Sequence, residues 1–182
     1  MVDWDGDALR RLRVAVNRRD GRAGLDLLAE RPASPVLQLA GDVLIAALGE
    51  GIAGAEPVAR RCVEELTKRG RDGDAELAAE LVAALDGTHT GLVEVPVDLG
   101  VLGARLAADP SEGVQVVDLR TGDIDEPGPE FDAGSEAYDA ERWLTFVPQG
   151  ERQGEPDEDA QRGRARQWLA SHGYRPGPRP FL

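Results

Sequence analysis

The sequence predicts an α+β protein in which a small N-terminal helical bundle is followed by a small antiparallel sheet with flanking helices. Two observations predict this class. Apolar residues in the first half recur at helical spacing, and after Gly87 the pattern changes to short alternating runs. The chain has 182 residues, of which 41% are hydrophobic, enough for one domain or a small pair. We divide it into a helical bundle over residues 1–88 and a small α+β domain over 89–182.

Five helices are predicted in the first half. The first helix follows Asp5 or Asp7 and ends at Gly21, and the second covers residues 22–30. The third begins at Pro35, and the fourth follows Gly54. The fifth has Asp74 as its N-cap and ends at Gly87. Each carries an apolar stripe on one face. Helices this short are marginal alone in water, so we expect them to pack as a bundle.

The second half combines short strands and two helices. Strands are predicted over residues 92–97, 114–119 and 143–147, with a hairpin turn at 120–122 that returns through 123–125. Pro96 favours an edge position for the first strand. The helices are one capped by Asp98 and one over residues 160–171 with Gly173 as its cap. Residues 126–141 are acidic and rich in Gly and Pro, which predicts a mobile loop.

Charge is unevenly distributed along the chain. There are 34 Asp and Glu against 21 Lys and Arg, a net charge of -13, which disfavours nonspecific binding to nucleic acid or anionic membrane. Residues 122–160 form an acidic stretch with 13 acids and 2 bases, a net of -11. Residues 161–182, the arginine tail, hold five arginines and no acid. A contact with nucleic acid would therefore be local to that tail.

The sequence predicts a cytoplasmic protein without a membrane segment. The single Cys62 excludes an internal disulfide framework, and the N-terminus is acidic where a signal peptide is basic and then apolar. The longest apolar run, residues 43–48, is far shorter than the ~20 residues that span a bilayer. Oligomeric state is left open.

Patterns that resemble catalytic or cofactor motifs have simpler explanations. Residues 49–54 match G-x-G-x-x-G, but helical spacing precedes them and a second helix follows, which favours a turn between helices. His89, His172 and Cys62 share no metal-ligand spacing, and Cys62 lies on an apolar helical stripe. We predict no catalytic residue, cofactor or metal. An enzyme with a carboxylate-based site in the second half stays a second alternative.

The arginine tail allows two interpretations. Its arginines alternate with Trp168, Tyr174 and Phe181, as in surfaces that contact phosphates and stack on bases. We favour internal pairing, in which the tail neutralises the acidic stretch while Trp168 and Leu169 dock on the sheet. The candidate interaction residues are Arg162, Arg164, Arg166, Trp168, Tyr174, Arg175, Trp143, Asp157, Glu158 and Asp159, and Arg179 belongs to the same arginine cluster.

Three segments resemble a bacterial family catalogued as uncharacterised protein family UPF zero-one-five-eight. Residues 118–124, D-L-R-T-G-D-I, are similar to its hairpin, and residues 141–144 to the strand that follows. Residues 162–170 with Gly173-Tyr174 resemble its C-terminal helix, and residues 37–42 and 77–85 resemble the helical half of its high-GC Gram-positive members. This chain is shorter between the last strand and the tail. The resemblance implies a fold but no mechanism.

Together these features predict a non-enzymatic interaction or regulatory protein. The absence of catalytic motifs beside a patterned charge distribution favours a protein partner, and the acidic stretch favours a basic one. The first alternative is nucleic-acid binding through residues 161–182.

Overall fold

The computed structural model describes residues 2–128, 141–151 and 157–178, and over these residues the α+β class is confirmed. The described α-helices are α1 (Gly6–Arg18), α2 (Gly21–Glu30), α3 (Leu37–Gly49), α4 (Ala55–Arg69), α5 (Asp74–Asp86), α6 (Leu99–Leu106) and α7 (Glu158–Ser171). The described strands are β1 (Val93–Val95), β2 (Gln115–Asp118), β3 (Ile124–Asp125), β4 (Trp143–Phe146) and β5 (Tyr174–Pro176). None of these helices has the length and apolar character needed to cross a membrane.

The first helix begins as predicted but ends earlier. The Asp5 side chain accepts a hydrogen bond from the backbone N–H of Ala8 at 2.8 Å, which caps α1. The helix ends at Arg18, and Arg19 adopts a left-handed conformation with φ 54°. Gly21, predicted to end α1, instead begins α2. A side chain there would lie 2.4 Å from Cα of Ala47, so only glycine allows α2 to approach α3 this closely.

Asp74 is not the N-cap of α5 but its first residue. The cap is Gly73, whose φ of 83° lies in the left-handed region. Asp74 is drawn inward because its carboxylate binds the side chains of Arg69 and Gln38. A Cβ on Gly73 would lie 2.0 Å from the carbonyl oxygen of Gly163, so α7 passes directly over this turn.

The strands form two separate sheets among the described residues. β2 lies between β3 and β4 and pairs with both in antiparallel fashion, with Val117 opposite Ile124 on one side and Leu144 on the other. The predicted hairpin and antiparallel sheet are therefore confirmed. β1 pairs in parallel with β5, which was not predicted, and Val93 lies opposite Tyr174. The chain after α7 thus returns to cover one edge of β1.

Two hydrophobic clusters fill the interior. The first lies among α1 to α5 and includes Leu12, Leu44, Cys62, Leu66 and Leu77. The second joins α6, α7 and the strands, and includes Val95, Leu102, Val117, Phe146 and Leu169. Helix α7 packs against α6 and also against α3 and α5. It is therefore the element that connects the two halves.

The glycine-rich run at residues 49–54 is a turn between α3 and α4, as predicted. A helix and not a strand precedes it, and Gly54 is the N-cap of α4. The predicted loop over residues 126–141 lies mostly outside the described residues, as do Arg179 and Phe181 of the arginine tail.

Candidate functional site

The arginines of α7 are buried. Arg162, Arg164 and Arg166 are 4%, 5% and 1% exposed. Residues four apart share one helix face, whereas a residue two positions away lies almost opposite. Arg162 and Arg166 therefore face the helical half, and Arg164 faces the other side. Arg162 and Arg166 pair internally, but the predicted partner is wrong for Arg166, because its carboxylates Asp42 and Glu80 lie in the helical half. For Arg162, Glu158 of the acidic stretch lies at 3.8 Å and Asp42 of the helical half at 3.7 Å.

Arg166 joins α7 to two helices of the bundle through three hydrogen bonds. Its Nε donates to Oε1 of Gln38 at 2.8 Å, its Nη1 to Oε2 of Glu80 at 2.8 Å, and its Nη2 to Oδ1 of Asp42 at 2.7 Å. Gln38 and Asp42 lie on α3 and Glu80 lies on α5. A guanidinium that is bound at all three nitrogens and is 1% exposed is not accessible to a ligand at the surface.

A second group of charges continues from Gln38. The Asp159 carboxylate accepts a hydrogen bond from the backbone N–H of Gln38 at 2.8 Å, which supplies an acceptor at the start of α3. The Gln38 amide donates to Asp74 at 3.0 Å, and Arg69 binds Asp74 and Asp159 with N–O distances of 2.7 Å. The term buried ionic network is used below for this whole set of side chains, which comprises Gln38, Arg69, Asp74 and Asp159 together with Asp42, Glu80, Arg162 and Arg166.

The pKa values of the carboxylates of this network are shifted in different directions. Burial raises the pKa of Glu80, and burial likewise raises the pKa of Asp159. Burial also acts to raise the pKa of Asp42, but the charges of Arg166 and Arg162 outweigh this effect and lower the pKa below its usual value. Asp42 is therefore the carboxylate best matched to the arginines. One oxygen of Glu80, Oε1, has no hydrogen-bond partner among the described residues.

Arg162 is held less tightly than Arg166. Within the part of the chain that the structure describes, its nearest carboxylates are those of Asp42 at 3.7 Å and of Asp98 and Glu158 at 3.8 Å, and its Nε has no hydrogen-bond partner there. It lines a cavity of about 20 Å³ together with Arg19. A cavity of this size admits about one water molecule, so it is too small for a substrate.

The opposite face of α7 docks on the second half. Arg164 donates to the carbonyl oxygen of Gly150 at 3.0 Å and to the Gln149 side chain at 2.8 Å. The Trp168 ring meets the Phe146 ring edge-on, with centroids 5.4 Å apart. The predicted docking of Trp168 and Leu169 on the sheet is thereby confirmed.

The acidic candidates at the start of α7 also make internal contacts. The Asp157 side chain accepts from the backbone N–H of Ala160 at 2.7 Å and caps α7, which begins two residues earlier than predicted. Glu158 accepts from Nε of Arg13 on α1 at 2.9 Å. Of these three acids Asp157 is exposed, Glu158 is half-buried, and Asp159 is buried in the network.

The remaining candidates lie near the strands. Arg175 pairs with Glu94 at 2.6 Å across β1 and β5, and Tyr174 packs against the second hydrophobic cluster. Trp143 lies under the Arg142 guanidinium, 4.3 Å from its ring centroid. These residues are half-buried and do not converge with the arginines of α7 on one surface.

Sequence reasoning missed the bundle residues of the network, Gln38, Asp42 and Glu80. A signal was present, because Gln38 and Asp42 are four residues apart in an otherwise apolar run and so share one helix face. Polar residues at such spacing on a buried helix require partners, which α7 supplies.

The exposed charge differs between the two halves. In residues 2–88 the exposed bases are Arg10, Arg11, Arg13, Arg18, Arg22, Arg60, Arg61, Lys68 and Arg71, against the exposed acids Asp3, Asp5, Asp7, Asp20, Asp26, Glu30, Glu50, Glu56, Glu64 and Asp86. In the described part of residues 89–178 the exposed acids are Glu94, Asp109, Glu112, Asp123, Asp125, Glu126, Glu141, Glu151 and Asp157, whereas Arg120 is the one exposed base. We call this second surface the acidic surface.

Within the ranges that the structure covers, no three side chains of His, Cys, Asp or Glu come together as a metal site would require. Burial raises the pKa of the Cys62 thiol to about 12, which keeps it protonated and unreactive. Comparison of the chain with protein-family models, curated proteins and solved structures finds no match.

Proposed function

We propose that the chain is a non-enzymatic cytoplasmic interaction protein that binds a basic protein partner through its acidic surface. The observation that carries this proposal is the imbalance of exposed charge in the second half, where Arg120 is the one exposed base among the described residues. Clustered charge of one sign steers a partner of opposite charge and fixes its orientation.

The buried ionic network explains why this surface is so acidic. The arginines of α7 would offset the carboxylates of the second half if they were exposed. Instead Arg166 is paired with Asp42 and Glu80 of the bundle, and Arg164 binds backbone and amide oxygens. Their positive charge is used inside the protein, so it does not offset the exposed carboxylates of this surface.

The two alternatives find less support in the geometry. Nucleic-acid binding through Arg162, Arg164 and Arg166 would require these buried side chains to leave their partners, which exposes uncompensated carboxylates. For an enzyme in the second half, Asp118 is a buried carboxylate, but it pairs with Arg142 at 2.6 Å and accepts from the N–H of Arg120 at 2.9 Å. Both contacts hold it in a structural role.

Membership of family UPF zero-one-five-eight is part of this proposal and rests on the hairpin and on α7.

A matched pair of variants tests the proposal. The first, E112Q/D125N/E126Q, removes three exposed charges from the acidic surface. The second, D26N/E64Q/D86N, removes three exposed charges from the helical half. Tagged full chains are used to capture proteins from a lysate of the native host at low salt, and the recovered partner is then purified and titrated against each chain by calorimetry.

We expect a basic protein to bind the unchanged chain and the helical-half variant with similar affinity. Binding to the acidic-surface variant should weaken about tenfold, because three steering charges are lost. Equal weakening in both variants would show that only net charge matters and would overturn the proposal. Recovery of no basic protein would overturn it as well.

A further inference from the structure

A shallow groove runs along the surface between α1 and α2. It encloses about 260 Å³, and its lining includes Arg10, Arg11, Val14, Arg18, Asp20 and Leu27. The opposite face of α1 is buried in the bundle, where Leu12 has no exposed surface. The groove is therefore formed partly by the outer face of α1, whose inner face is packed in the bundle.

The floor of this groove carries an apolar side chain that faces solvent. Arg11, Val14 and Arg18 are three and four residues apart on α1, which places them along one helix face. Val14 is 43% exposed, one of few large apolar residues of the bundle with that much exposure. Val14 thus lies between Arg11 and Arg18 along the face of α1 that lines the groove.

The groove also carries positive charge that is not paired with a carboxylate among the described residues. Arg10 forms an ion pair with Asp7. Arg11 and Arg18 make no hydrogen bond or ion pair with any residue that the structure describes. The carboxylate in the lining, Asp20, accepts from the backbone N–H of Ala23 at 3.0 Å as the N-cap of α2. Val14 is therefore flanked by two arginines that have no partner in the described part of the chain, in contrast to the arginines of α7.

We propose that this groove binds an acidic peptide segment of a partner protein, with one apolar side chain seated on Val14 and carboxylates at Arg11 and Arg18. Charge complementarity and the apolar floor favour this occupant, since a polyanion without apolar groups would leave Val14 uncovered. The net charge of -13 opposes every anionic ligand, and it opposes most strongly a nucleic acid, whose backbone carries a charge at every nucleotide. The groove lies in the half opposite the acidic surface and goes beyond the function proposed above.

Binding is tested by fluorescence anisotropy with a labelled synthetic peptide that alternates Glu with Leu. The controls are a peptide with Ser in place of Leu, a double-stranded DNA and vesicles with anionic headgroups. Two full-chain variants carry the same charge change. R11E/R18E reverses the groove arginines, and R61E/K68E reverses two exposed bases on α4 that have no ion pair among the described residues. A third variant, V14S, removes the apolar floor.

We expect the Glu-Leu peptide to bind the unchanged chain and R61E/K68E with affinities within about threefold of each other. R11E/R18E should weaken binding about tenfold or more, because both pairing charges become repulsive. V14S, at an exposed position that leaves the fold intact, should weaken it about threefold.

Three results would overturn this proposal. They are equal loss in both double variants, equal binding of the Glu-Ser peptide, and tighter binding of the DNA or the vesicles. None of them bears on capture of a basic protein by the acidic surface, so the two proposals can fail separately.

Discussion

The interior of the helical bundle and the contact between bundle and α7 are stabilised in opposite ways. The bundle is filled with Leu, Val and Ala side chains such as Leu44, which has no exposed surface. The contact with α7 is equally buried but is built on Arg166 and its carboxylate partners. Apolar packing tolerates small shifts, whereas a guanidinium with three fixed partners does not. The difference indicates that the bundle supplies stability and the network fixes where α7 lies.

The largest effect is expected from R166A. Removing this guanidinium leaves Glu80 buried without its cation and leaves Asp42 with the more distant Arg162 guanidinium at 3.7 Å, which costs about 4 kcal/mol of the free energy of unfolding. Urea unfolding followed by circular dichroism at neutral pH measures the loss.

The control for R166A is R13A. Arg13 also connects the two halves through its bond to Glu158, but 45% of its side chain is exposed. An exposed pair contributes about 0.2–1 kcal/mol, so R13A should change stability little. If R166A cost no more than R13A, the network would not fix α7 and the comparison would fail.

The next effect tests whether the two halves unfold together. Leu102 has no exposed surface and belongs to the second hydrophobic cluster, so L102A should cost about 3 kcal/mol. Cys62 lies in the first cluster and becomes reactive only when the bundle opens. Because α7 packs on both halves, we expect L102A to speed labelling of Cys62 by a thiol reagent in moderate urea.

A bundle substitution provides the control for L102A. L44A removes the same side chain from the first cluster and should speed Cys62 labelling to a similar extent. Unfolding of the second half in L102A with no change at Cys62 would instead show two independently stable units.

The smallest effect concerns Asp118 and its dependence on pH. Burial acts to raise the pKa of Asp118, but hydrogen bonds from Arg142 and the Arg120 N–H outweigh it and lower the pKa below the usual 3.8. The stabilisation is then complete above pH 3.8 and is lost as pH falls through the folded-state value. We expect D118N to cost about 2 kcal/mol at neutral pH.

The difference between D118N and the unchanged chain should shrink as pH falls to about 3, which urea titrations at several pH values measure. A difference that stays constant with pH would show that the charge of Asp118 is not the source of its effect.

Most of the secondary structure could be predicted because it depends on local signals. The N-cap Asp5, the α4 N-cap Gly54 and the hairpin before β3 follow from residues close in sequence. Strand β5 could not be predicted in this way. It has only three residues, and its partner is the distant strand β1. The paired residues Val93 and Tyr174 are 81 positions apart in the sequence. Such pairing depends on tertiary contact and not on local pattern.

The candidate site shows the same limit. The arginines of α7 stand out in the sequence, but their burial depends on the acids they meet, and Asp42 is 124 residues from Arg166. The sequence showed an excess of acid close by in residues 122–160, and proximity along the chain suggested the wrong partners for Arg166. Arg11 and Arg18, which have no ion pair among the residues that the structure describes, do not stand out in the sequence, because Asp5 and Asp7 lie on the same segment.

The position of Arg166 late in the chain has a consequence for synthesis on the ribosome. Glu80 emerges 86 residues before the arginine that neutralises it, and Asp42 emerges 124 residues before it. At about 5–20 residues per second, the bundle spends several seconds with these carboxylates hydrated at an open seam. The nascent bundle can collapse on its leucines during that time, but its register with the second half is fixed only when α7 arrives.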